Sequence, residues 1–169
     1  MASPSAEPVE EQVVAAVVTI LDAIQSGSSY WYTPTVIRVD HYENKNLFVD
    51  SKSPIYMVRD TSESVLSAEQ REFGKEARVL TLFILLAYFD NRADPSPYTT
   101  GTPLPGTIRH RMMRDVAKAL YASPKLGLGA VVVDIDVGDP TKDFEEGIGG
   151  WLLAEVPLVV TYQHSYDEP

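Results

Sequence analysis

The chain has 169 residues, a net charge of −10, a pI of about 4.6 and a hydrophobic fraction of 44%. That length suits one domain with a full core, and the ordinary apolar content marks a globular protein, with no run of about 18 apolar residues to cross a membrane. The acidic balance excludes broad gripping of nucleic acid, which rests on Lys and Arg neutralising phosphate; the absence of cysteine excludes disulfides and thiolate metal sites.

Residues 1–8 lack the basic start and apolar core of a secretory signal and read as a short flexible tail. A single domain is expected over 9–166, with a C-terminal tail at 167–169. The first helix is predicted over Val9 to Gln25. Val13, Val17, Ile20, Leu21 and Ile24 form its apolar stripe, and Glu10 and Glu11 sit at the positive end of its dipole. Ser26-Gly27-Ser28-Ser29 ends it. Tyr30-Trp31-Tyr32 follows. Neighbouring residues on an extended chain alternate faces, so at least one of these rings is expected near the surface. Thr35 to Asp40 and Ser53 to Asp60 read as strands that can pair as neighbours.

Residues 61–76 are polar and read as a long loop. Within it, Ser67-Ala68-Glu69-Gln70 looks like a capping box for a short helix. Ala77 to Phe89 is apolar without a clear period and reads as a strand. Residues 90–106 form a second long loop, rich in Pro, Gly and Thr. A loop of that length in a compact domain is usually functional, and Tyr98, Thr99, Thr100 and Leu104 are its candidate docking residues.

Thr107 to Leu120 is the second helix, with Thr107 as N-cap and Ile108, Met112, Val116, Ala119 and Leu120 on one face. Pro124, Gly127 and Gly129 break it. Ala130 to Val137 alternates apolar odd positions with acidic even ones late in the run, and reads as a half-buried strand. Leu152, Ala154, Val156, Leu158, Val160 and Tyr162 mark a longer final strand. Segregated helices beside strands predict an α+β domain: a mostly antiparallel sheet of four to five strands flanked by two main helices.

No catalytic signature stands out. His41, His110 and His164 share no metal-ligand spacing. There is no Gly-x-Ser-x-Gly elbow, and the Gly-rich turns lack the Lys and Ser/Thr of a phosphate loop. Asp134, Asp136 and Asp139 echo a calcium loop with its glycine misplaced, which leaves a small metal-dependent enzyme as the alternative from another class. The expectation is a non-enzyme that needs no cofactor or metal. Charge is unevenly placed. The second helix carries Arg109, Arg111, Arg114 and Lys118, whereas Asp134, Asp136, Asp139 and Asp143 open an acidic run. A basic helix on one subunit could meet an acidic edge on another, a head-to-tail contact that closes into rings.

Several stretches carry a family resemblance. The first helix ends in a small-residue turn, Leu21-Asp22-Ala23-Ile24-Gln25-Ser26-Gly27. Asp115-Val116-Ala117-Lys118-Ala119-Leu120 has the form Asp-Val-x-x-Ala-Leu, and Ser123-Pro124-Lys125-Leu126-Gly127-Leu128-Gly129 follows where the related turn is Asp-Pro-x-Leu-Gly-Gly. Two strands separated by an acidic loop come next, and the last, Val156 to Tyr162, closes the domain. In this order of elements the chain resembles the tail-terminator (tail-completion) proteins of tailed bacteriophages, with Leu128 interrupting the double glycine. The resemblance implies a homohexameric ring on the head-proximal end of the tail tube, in a virion assembled in the host bacterial cytoplasm. Such a ring stops tube polymerisation and offers a surface to the head–tail connector. Its implied partners are further copies of itself, the tail-tube protein and the connector or stopper protein. DNA passes through the hole without specific binding, and no membrane is involved. A head-closure protein or a tail-tube subunit is the runner-up within the same class.

Overall fold

Hydrophobic spacing sets the first helix, and packing then fixes its limits. The computed structural model describes residues 8–27, 29–39, 52–65, 75–90, 103–140 and 150–165. Helix α1 spans Val9–Asp22 and buries Val9, Val13, Val14, Val17 and Leu21. It stops short of Gln25. Ile24 lies beyond its end and is nonetheless buried, because the chain turns there toward Gly27, whose φ of 113° no helix accepts.

The strands are β1 (Thr35–Arg38), β2 (Ile55–Val65), β3 (Lys75–Phe89), β4 (Val132–Val137) and β5 (Trp151–Ser165). They form one five-stranded sheet in the order β1-β2-β3-β5-β4. Only β1 and β2 run parallel; the other neighbours are antiparallel. With helix α2 (Pro105–Tyr121), this is the α+β architecture that helices segregated beside a mostly antiparallel sheet predicted.

Several further boundaries differ from the sequence expectation. Residues 61–65 and 75–76 are strand rather than loop, with a bulge between Asp60 and Ser62. Glu63 and Glu76 pair there with Arg78, as described below, so polarity did not mark a loop. The capping-box helix at 67–70 lies outside the described residues. Helix α2 begins at Pro105, with Leu104 as N-cap, not Thr107. A proline at the first helical position has its φ preset and loses no hydrogen bond, so the loop predicted to Gly106 ends earlier. Strand β4 begins at Val132 rather than Ala130, and a bulge between Val132 and Asp134 shifts its alternation. Val132 is therefore buried and Val133 is 41% exposed, the reverse of the odd-inward pattern.

Both helices lie on one face of the sheet. There Leu80, Leu82, Ile84 and Leu86 of β3, Leu152 to Tyr162 at even positions of β5, and Tyr56 and Val58 of β2 pack with the stripes of α1 and α2. A smaller cluster of Val39, Ile55, Met57, Leu85, Ala87, Trp151 and Leu153 occupies the far face. Strand β3 is thus buried on both sides over residues 84–87, which is why its sequence shows no clear period there. Gly150 sets the entry to β5: its φ is +87°, and a Cβ there would lie 3.1 Å from the Asp90 carbonyl oxygen.

Candidate functional site

Helical spacing places Arg111, Arg114, Asp115 and Lys118 on one side of α2, at positions i, i+3, i+4 and i+7. Three of the four are cationic. The fourth, Asp115, is 1% exposed, within the apolar stripe of the helix. Its Oδ2 accepts hydrogen bonds from the backbone N–H groups of Trp31 (2.8 Å) and Tyr32 (3.1 Å). Burial pushes the Asp115 carboxyl above the usual range, and these two N–H groups partly offset that. One buried acid therefore ties the aromatic segment to the helix.

The cations complete the attachment. The Arg111 guanidinium carbon lies 4.1 Å from the ring centre of Trp31. The Lys118 ammonium sits 5.2 Å from the ring centre of Tyr30 and donates to the Ser29 carbonyl at 2.9 Å. Tyr32 turns inward against Tyr88, ring centres 5.6 Å apart, and burial raises its hydroxyl pKa, an effect the neighbouring Arg111 guanidinium partly offsets. Trp31 stays 52% exposed, as the alternation of three consecutive rings requires of at least one. The result is an open cavity of about 530 Å³, lined by Gly27, Ser29, Tyr30, Trp31, Arg114, Asp115 and Lys118. Its walls are aromatic and its rim is cationic, which suits contact with an acidic surface.

Arg114 also borders a second groove of about 260 Å³, between α2 and the end of β4. Met113, Ala117, Tyr121, Val137 and Val156 line it, with Asp139 at its edge. Tyr121 is 54% exposed.

The basic helix is therefore a real cationic stripe, formed by Arg111, Arg114 and Lys118; Arg109 is half-buried at a different angle of the helix. The acidic set divides. Asp134 and Asp136 are exposed on β4 and alternate with Ile135, which packs into the helix-side core, so they face the far side of the sheet. Asp139 lies on the helix side. The three carboxylates do not converge, and no group of three or more His, Cys, Asp or Glu among the described residues could hold a metal. Asp143 and Tyr98, Thr99 and Thr100 lie outside the described residues, and Leu104 is 46% exposed at the start of α2.

Sequence reasoning missed a second cluster, beside the first turn of α1. Arg78 of β3 pairs with Glu63 of β2 (2.8 Å), Glu76 of β3 (3.2 Å) and Glu10 of α1 (3.5 Å). The Tyr162 hydroxyl of β5 contacts the Glu10 carboxylate at 2.9 Å and also that of Glu63. Burial raises the Glu63 carboxyl, but its hydrogen bonds from Tyr162 and Arg78 outweigh that and hold it below the usual range. These residues come from four elements, so no spacing in the chain announces them. Asp115 did leave a signal: an acid inside an apolar stripe requires a partner.

No helix among the described residues is long and apolar enough to cross a membrane. No protein-family model and no curated protein matches the chain.

Proposed function

We propose that this protein is a non-enzymatic ring subunit of a bacteriophage tail, a tail terminator that caps the head-proximal end of the tail tube and presents a surface to the head–tail connector. The reading rests first on the resemblance carried by Asp115 to Leu120 and the turn that follows. The observation that carries it further is the placement of charge. The cationic stripe of α2 lies on the helix side of the sheet, and Asp134 and Asp136 lie on the far side of an edge strand. To match such patches, one two-fold contact would have to bring both layers of each copy into a single interface. Patches so placed favour head-to-tail contacts, which close into a ring or run on as a filament.

A net charge of −10 fits a passage for DNA, because like charge keeps the duplex from adhering. The tail-tube alternative is less favoured: β5 flanks β3 as far as the pair Lys75↔Ser165, so the described part of the β2–β3 hairpin lies within the sheet instead of projecting for stacking.

Negative-stain class averages and native mass of the purified protein test the reading. A closed six-fold particle with a central hole is expected, alone or on addition of the tail-tube protein. A chain that stays monomeric under both conditions overturns it.

A further inference from the structure

The cavity between α2 and Gly27, Ser29, Tyr30 and Trp31 has an exposed indole and two exposed cations, Arg114 and Lys118, against one buried acid, Asp115, whose Oδ2 is taken up by the N–H groups of Trp31 and Tyr32. Arg114 and Lys118 are four residues apart on a helix, a rise of about 6 Å. On β4, Asp134 and Asp136 are exposed and two residues apart on a strand, about 6.7 Å. The two pairs therefore match in both sign and spacing. The match extends to apolar surface. Trp31 is 52% exposed beside the cations, and Val133 is 41% exposed beside Asp134, turned out by the β4 bulge. Buried apolar anchors of this kind, ringed by polar pairs, dominate binding at protein interfaces, with Trp foremost among them.

We infer that this cavity is the receptor for strand β4 of a second copy of the chain, with Asp134 and Asp136 of that copy pairing with Arg114 and Lys118 and its Val133 packing against Trp31. The inference rests on the reading of the protein as a self-assembling ring subunit and specifies which surfaces meet. The sheet edge at β4 carries acids on its far face and a bulge, features that discourage indiscriminate strand addition. Contact through side chains suits it better than extension of the sheet. Asp115 holds the aromatic wall in place from within, so the receptor exists before the second copy arrives.

Paired charge reversal provides the test. Two variants are made in the full chain, R114E/K118E and D134K/D136K, and their folding is checked by thermal melts. Each alone presents only like charges at the contact and is expected to raise the concentration for half-assembly about ten-fold or more. An equimolar mixture of the two restores opposite charges at every contact of an alternating ring, so assembly is expected to return. Trp31 gives an independent readout. Its emission should shift to the blue and its quenching by acrylamide should fall on assembly of the parent chain, but not in either variant alone; W31F identifies the signal against buried Trp151. If the parent assembles and the variants assemble equally well, or if mixing fails to restore assembly, the inference is overturned while the ring reading stands. A parent chain that never assembles takes down both.

Discussion

At the residue scale, the structure turns on two side chains that bind distant segments together. Asp115 satisfies the N–H groups of Trp31 and Tyr32 across 84 and 83 residues of sequence. Asp115→Ala leaves both donors without their acceptor and is expected to cost about 1–3 kcal/mol by chemical denaturation. Asp115→Asn keeps an acceptor oxygen and sheds the cost of a buried charge, so it is expected to retain most of the stability. The sign with pH follows from the raised Asp115 carboxyl: its relative benefit is complete below the unfolded value and is lost as pH rises through the folded one. Glu63 acts the other way. Its lowered carboxyl contributes stability above the unfolded value, near 4.3, and that contribution disappears as pH falls through the folded value. Arg78→Gln should therefore lower stability at neutral pH and flatten its loss between about pH 5 and 3, as read from denaturation midpoints. Tyr56 presents a third case. Its hydroxyl is buried with no hydrogen-bond partner among the described residues, and burial raises its pKa strongly. Tyr56→Phe is expected to be neutral or stabilising, since it removes a desolvated hydroxyl that gains nothing; a loss above about 1 kcal/mol would show that the hydroxyl is bonded after all.

At the element scale, β3 is the spine of the sheet. It pairs with β2 on one side and with β5 along its whole length on the other. Leu82 is fully buried on its helix-side face. Leu82→Ala is expected to cost about 2–5 kcal/mol, whereas Val133→Thr, on the exposed bulge of an edge strand, should remain within about 0.5 kcal/mol. Equilibrium unfolding of the two variants makes the comparison directly. The element pattern was largely legible in the chain. The valine and leucine stripe of α1, the stripe of α2 and the even-position alternation of β5 all took the places that their spacing indicated. What the chain hid were the strand ends at 61–65 and 75–76. Glu63 and Glu76 look like loop residues until folding brings them within ion-pair distance of Arg78.

For the whole molecule, charge has two roles. The net negative charge keeps copies apart in general, and the stripe of Arg111, Arg114 and Lys118 offers one place where an acidic surface is welcome. Assembly through that stripe should weaken as salt rises from about 0.05 to 0.5 M, because exposed charges further apart than a Debye length are screened. Sedimentation velocity at a series of salt concentrations measures this, and an assembly insensitive to salt would point to an apolar interface such as the groove beside Tyr121.

The sequence by itself determined the α+β class, the helical faces, the exposure of one ring in the aromatic triplet and the presence of a cationic helix. Those depend on periodicity and neighbour alternation, which are local. Only the tertiary structure decided that Asp115 anchors residues 31 and 32, that Asp139 parts company with Asp134 and Asp136, and that a bulge turns Val133 outward. Each of these depends on which residues meet across the sheet, and a one-residue shift of register, invisible in composition or spacing, reverses every face beyond it.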